Sequence, residues 1–256
     1  MKNVTRILVF DIEGYMAHFR KFYTNSSALT YSFPPYTTVV GLIAGILGRP
    51  RDSYYKEFGS ENCRIAVSLE AETRKIVQTM NYIRTKSKSE LDGSAGPTPT
   101  PLEILLAKDI RLCFRIYFTH QNNDVVDEVK KRVQQQRYIY PPYLGITEFL
   151  ATLKLVDDIS ENRIKRVYQQ QPVKIATAVN TEYIKDRGIC LNRAEGSIKI
   201  LKEKMALEFD EERNLKKVAT FIFEATGKEL PVLLTTPYYQ IQLDGGACRN
   251  ILFLNQ

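Results

Sequence analysis

The run TVVGLIAGIL (residues 38–47) carries no charge and has to leave water. At ten residues it falls short of the roughly 20 that a helix needs to cross a bilayer. It therefore predicts a helix buried in the core of a globular fold. Pro34 and Pro35 punctuate the chain just before it, and Thr37 and Thr38 are candidate caps. Gly41, Ala44, Gly45 and Gly48 recur at spacings of three and four, which leaves one helical face smooth. Each glycine costs roughly 1 kcal/mol of helix propensity against alanine. That cost is explained if a neighbouring strand or a partner backbone packs closely on Gly41 and Gly45.

The flanking segments supply a sheet. RILVFDI (residues 6–12) reads as a buried first strand, and CRIAVSLEAE and RKIVQTMNYIR alternate well enough to be strands. KDIRLCFRIYF (residues 108–118) places Arg111, Cys113, Arg115 and Tyr117 on one face and Ile110, Leu112, Phe114, Ile116 and Phe118 on the other. DVVDEVKKRVQQQ has helical periodicity, and RPRDSYYKEF is expected to add an amphipathic turn or helix. Strand, helix, two strands, strand and helix follow a ferredoxin-like order. The segment TKSKSELDGSAGPTPTPLE, rich in Ser, Gly, Pro and Lys, interrupts that order as a flexible hairpin insertion near residues 85–101. From about residue 160 the segments shorten and read as strands. The expected fold is α+β, with a ferredoxin-like domain over 1–159 and a smaller β-rich part over 160–256.

The chain of 256 residues has a formal net charge of +7 and 44% hydrophobic residues, enough to form a core and to favour an anionic partner. Cys63, Cys113, Cys190 and Cys248 are widely spaced, with no C-x-x-C pair, so neither a disulfide framework nor a zinc site is expected. MKNVTRILVF reaches Asp11 and Glu13 almost at once, too soon for the apolar region of a signal peptide. The expectation is a cytoplasmic protein in a reducing compartment, without membrane attachment.

Little in the chain announces catalysis. LDGGACRN (residues 243–250) lacks the lysine and spacing of a phosphate loop, and no metal or cofactor is called for. There are two histidines. His18 with Lys21 and Tyr23, or His120 with Tyr117 and a distant lysine, could in principle supply the base, acid and cation of metal-free RNA cleavage. A histidine outside any motif more often serves structure. The loop from His18 to Tyr31 says more. Arg20 and Lys21 can neutralise phosphates, Phe19, Phe22, Tyr23 and Tyr31 offer planes for unpaired bases, and Asn25, Ser26 and Ser27 can bond to sugar or phosphate. The competing reading is a surface loop whose aromatics merely anchor it.

Residues 10–52, FDIEGYMAHFRKFYTNSSALTYSFPPYTTVVGLIAGILGRPRD, resemble the N-terminal signature of the CRISPR-associated protein five family, RAMP-type subunits of type I Cascade surveillance complexes. YPPYLGITEFLA (residues 140–151) is similar to that family's later LG-x-[ST]-E-x-x-A segment, and the length and short second motif look most like the subtype I-B branch. The resemblance implies a ferredoxin-like RAMP domain with a thumb hairpin and a non-catalytic subunit that holds the 5′ handle of the CRISPR RNA. It implies the Cascade backbone and large subunits as neighbours, with target DNA near the protospacer-adjacent motif. RNA contacts would come from Arg20, Lys21, Tyr23 and Ser26 on the loop, from Arg84, Lys86 and Lys88 on the thumb, and from Arg111 and Arg115 on the strand. The alternative is an endoribonuclease that processes precursor CRISPR RNA, with His18, Tyr23 and His120 as its groups. Subtype I-C members do this with a tyrosine and an adjacent Lys-His pair. Here His18 lies between Ala17 and Phe19, and His120 between Thr119 and Gln121.

Overall fold

A computed structural model describes residues 4–24, 28–193 and 196–256. The apolar run forms helix α1, Tyr36–Leu47. Its N-cap is Pro35, with no side-chain cap bond, so Thr37 and Thr38 lie inside the first turn and do not cap it. Four strands form one antiparallel sheet in the order β3-β6-β1-β7: β1 (Arg6–Gly14), β3 (Cys63–Leu69), β6 (Leu112–His120) and β7 (Thr152–Ser160). A two-residue strand β2 (Met16–Ala17) follows β1. Between β3 and β6 the chain departs into β4 (Thr73–Tyr82), a short helix α2 (Lys88–Leu91) and β5 (Thr98–Ala107). Helix α3 (Asn123–Gln135) returns the chain from β6 to β7, with Val125, Val126, Val129 and Val133 buried as its periodicity requires.

Both faces of the four-stranded sheet are covered, which explains why β1 is an almost unbroken apolar run. Leu8, Phe10, Ile12, Phe114, Ile116 and Phe118 meet α1 and α3 on one side. Ile7, Val9, Ala66 and Tyr117 meet Tyr239, Ile241, Ile251 and Phe253 on the other. Those partners come from a C-terminal set of strands and the segment just after it: β8 (Ile164–Val167), β9 (Val173–Ile175), β10 (Val179–Asn180), β11 (Ile184–Ile189), β12 (Ile200–Phe209), β13 (Leu215–Glu224), β14 (Leu230–Leu234), β15 (Tyr238–Gln242) and β16 (Cys248–Ile251). They make three small sheets, β10-β13-β12, β11-β14-β9 and β16-β15-β8. Phe221 and Phe223 of β13 close edge-on against Phe33, with ring centroids 6.4 and 4.8 Å away, so β12 and β13 share the core of α1.

RPRDSYYKEF takes the turn form of its two expected forms, with Asp52 at φ 61°. Two expectations are corrected. Ile110 lies outside β6 and is 78% exposed. Among the described residues, no neighbouring strand of the chain packs where β-carbons on Gly41 and Gly45 would point. A Cβ on Gly45 would touch nothing within 4 Å, and one on Gly41 would meet only the Tyr54 hydroxyl at 3.4 Å. Gly41 and Gly45 floor an open groove of about 530 Å³, walled by Tyr54, Tyr140, Tyr143 and Leu150. Within the described residues of the chain, nothing stands in the way of an added β-carbon at Gly45. Gly45→Ala is expected to stabilise the chain by about 0.5–1 kcal/mol through helix propensity and a less flexible unfolded chain. A lowered denaturation midpoint would show that the groove floor is occupied.

Candidate nucleic-acid interface

The loop after β1 is pinned at its root. The Phe19 N–H donates to Thr30 Oγ1 at 2.8 Å, the Tyr31 N–H donates to the Phe19 carbonyl at 2.8 Å, and Arg20 bridges to Thr30. Phe19 and Tyr31 are both 2% exposed. Phe19 stands edge-on to Phe114 at 5.8 Å, and the Tyr31 hydroxyl donates to the Lys204 carbonyl at 2.7 Å. These two rings anchor the loop and offer no plane to a base. Phe22 and Tyr23 remain outside, 38% and 49% exposed, with centroids 5.2 Å apart. Arg20 is exposed, and among the described residues its guanidinium reaches only the Thr24 carbonyl, at 3.3 Å. Asn25, Ser26 and Ser27 lie outside the described residues.

The inserted segment joins this loop. β4 and β5 pair antiparallel from Thr73↔Ala107 to Tyr82↔Thr98, a two-stranded arm about 30 Å long at 3.3 Å per residue. At its root, Glu103 accepts the Thr30 N–H at 2.8 Å and Lys75 Nζ donates to the Thr30 carbonyl at 2.6 Å. The Glu103 N–H donates to the Ala28 carbonyl at 2.9 Å. At its tip, Ser87 and Glu90 form a capping box on α2. Arg84, Lys86 and Lys88 are exposed there, without an ion pair among the described residues. Loop and arm root are thus one unit, while the tip cations lie past Tyr82, itself about 23 Å from Lys75 along β4 at 3.3 Å per residue.

Other predicted contacts are engaged within the protein. Lys21 Nζ lies 2.7 Å from Glu203 Oε2 and 5.5 Å from the Tyr31 ring centroid. It is not a solvated loop cation. Arg115 forks onto Asp11 at 2.8 and 2.9 Å and lies 3.4 Å from Glu70, on the sheet face that β15 and β16 cover. Arg111 is half-exposed, stacked 4.9 Å from the Tyr15 ring and bonded to its hydroxyl at 2.9 Å.

The two histidines are separate and buried. His18, 3% exposed, donates from Nδ1 to the Glu103 carbonyl at 2.7 Å. Burial holds its pKa below the ordinary imidazole value, against the opposing pull of that carbonyl. His120 donates from Nε2 to the Glu57 carbonyl at 2.9 Å and accepts the Asn122 N–H on Nδ1 at 3.1 Å. Among the described residues, Asp11, Glu13 and Cys113 bring metal-ligating atoms within 4.8 Å of one another. Asp11 already holds Arg115 with both oxygens, and burial, with the nearby carboxylates, pushes the Cys113 thiol up to about 12.

The second motif, residues 140–151, lies under the loop. The His18 N–H donates to the Leu144 carbonyl at 3.0 Å. Gly145, at φ +93°, lets the segment pass so close that a Cβ there would sit 2.0 Å from the His18 carbonyl oxygen. The two stretches that carry the family resemblance therefore touch.

An α+β chain with one sheet covered on both faces, a long inserted arm and a basic loop at its root defines the class. Residues 7–221 match the family described as CRISPR-associated protein (Cas_Cas5), and the chain belongs to that family. No curated protein matches it in sequence. Its fold is similar to a CRISPR protein from Archaeoglobus fulgidus, with TM-score 0.56 and 12% identity over 96% of this chain and 100% of that one. It is also similar to a chain of a CRISPR RNA-guided surveillance complex, with TM-score 0.51 and 15% identity over 88% and 91% of the two chains. No helix among the described residues is long and apolar enough to cross a membrane.

Proposed function

We propose that this chain is a non-catalytic RNA-binding subunit of a type I CRISPR surveillance complex, of the subtype I-B kind. It caps the complex at the 5′ handle of the CRISPR RNA and contacts the backbone and large subunits. The observation that carries the reading is the union of the β1–α1 loop with the root of the β4–β5 arm, in a chain of this family. The order β3-β6-β1-β7 supports a ferredoxin-like RAMP domain, in which the arm is the thumb and β8–β16 are the smaller C-terminal part. Arg20 and the tip cations supply phosphate contacts, and Phe22 and Tyr23 supply faces for unpaired bases. The absence of catalysis is supported by the burial of both imidazoles and by their bonds to backbone carbonyls.

The test uses the full chain, labelled repeat RNA and EDTA. RNA is expected to bind and to stay intact. Arg20→Ala, Lys86→Ala and Lys88→Ala together should lower the slope of log affinity against log salt by about 2, at roughly 0.7 per phosphate contact on a single strand. Their stability should change by less than about 0.5 kcal/mol each, since all three are solvated. An unchanged slope would remove the loop–arm edge from the RNA path. Specific cleavage within the repeat, lost in His18→Ala or His120→Ala, would restore the nuclease.

A further inference from the structure

The strand pair β11–β14 contains an irregularity that the proposed RNA edge does not use. Ile184 pairs with Leu234 and Ile189 with Val232, so residues 185–188 stand opposite Leu233 alone. The excess chain closes into a tight bulge. Arg187 adopts φ 55°, a left-handed conformation uncommon outside glycine. Gly188 has no room for a side chain, because a Cβ would meet the Lys185 carbonyl oxygen at 2.6 Å and the Leu233 carbonyl oxygen at 2.8 Å. Bulges re-aim side chains, and strain of this kind persists where the surrounding structure enforces it.

Here the bulge directs Lys185 and Arg187 over an open groove of about 510 Å³, which Lys202 of β12 faces from the other side. All three cations are exposed and have no ion pair among the described residues. Among the described residues, Asp186 is the one acidic side chain lining the groove, and Ile184 and Ile222 supply an apolar floor. Lys204, two residues along β12, presents its exposed side chain on the same strand face as Lys202. Its carbonyl accepts the Tyr31 hydroxyl, so β12 runs from this groove to the loop that begins the proposed RNA edge. Unpaired cations around an apolar floor suit a chain of phosphates carrying unpaired bases.

We infer that the 185–188 bulge and Lys202 form a second nucleic-acid site, which takes the sugar–phosphate backbone of a single strand. RNA and DNA share this chemistry, and the experiment separates them.

Fluorescein-labelled uridine and deoxyuridine oligonucleotides of equal length are titrated into the full chain across a salt series. Lys185→Gln, Arg187→Gly and Lys202→Gln together are expected to lower the salt slope by about 2 and the low-salt affinity by roughly tenfold. Loss with both probes marks a backbone site indifferent to sugar, and loss with one assigns the site to that nucleic acid. Arg187→Gly alone relieves the left-handed residue, so a thermal midpoint that is unchanged or raised verifies the fold of the variant. The Arg20, Lys86 and Lys88 variants run in parallel. If they weaken binding while the groove variants leave affinity and slope intact for both probes, the proposed RNA edge stands and this site does not exist. Groove variants that bind both probes normally but fail to join partner subunits would also overturn it, by making the patch a protein surface.

Discussion

Gly145→Ala is expected to destabilise the protein by about 3–5 kcal/mol, combining the backbone strain of a non-glycine residue in this region with a clash that must be relieved. Gly145 has φ +93°, and a Cβ there would fall 2.0 Å from the His18 carbonyl oxygen, 2.7 Å from its carbon and 3.1 Å from Phe19 Cδ1. Two of these neighbours are backbone atoms at the root of the loop, so no side-chain rotation relieves the clash. The segment would have to lift. That would break the bond from the His18 N–H to the Leu144 carbonyl and uncover Leu144, which is 1% exposed. Gly14 fails in the same direction, since a Cβ there would sit 2.4 Å from Leu144 Cδ1. Urea denaturation should show a lower midpoint with an unchanged slope. A midpoint within about 0.5 kcal/mol of the parent would mean that the two motifs do not touch, because surface substitutions alone stay within that range.

What could be read from the sequence was local. The apolar run announced α1, and alternation announced β3, β4 and β6, because burial imposes those periods on neighbouring residues. The Pro/Thr stretch read as flexible, yet Thr98–Ala107 is a strand. Pro99 and Pro101 stand opposite Asn81 and Thr79. Prolines two residues apart fall at alternate rungs of an antiparallel ladder, where no N–H is needed toward the partner. β2 covers β5 only at Leu105 and Leu106, so that end of β5 is an edge and tolerates the missing donors.

The site was half legible for a different reason. Basic and aromatic residues marked the loop, but which of them face water depends on distant chain. Lys21 finds Glu203, and Tyr31 finds the Lys204 carbonyl. Arg115 finds Asp11 and Glu70 under the C-terminal strands. No short window holds those pairs. The cation-bearing bulge at residues 185–188 had only the Arg-Gly step as a signal, which is too common to single out.

Glu203→Gln is expected to cost about 2–3 kcal/mol, less than the 3–5 typical of breaking a fully buried pair because its lysines retain some solvent. The Glu203 side chain is 7% exposed and those of Lys21 and Lys75 are 14% and 26% exposed. Its carboxylate accepts from Lys21 at 2.7 Å and from Ser32 at 3.1 Å, and Lys75 lies 3.6 Å away. Burial by itself would lower the Lys21 pKa, but the bond and charge of Glu203 outweigh it and the net shift is upward. Glutamine keeps the shape and removes the charge, leaving an ammonium beside the Tyr31 ring without its counter-ion. Lys21→Met also costs stability, since among the described residues it leaves the Glu203 carboxylate with the Ser32 hydroxyl and, at longer range, the Lys75 cation. The double variant Lys21→Met/Glu203→Gln removes both charges together and should lie closer to the parent than the sum of the singles, with a coupling of at least about 1 kcal/mol. Strictly additive losses would show that Lys21 and Glu203 do not interact in solution, and that the loop is held by its backbone bonds alone.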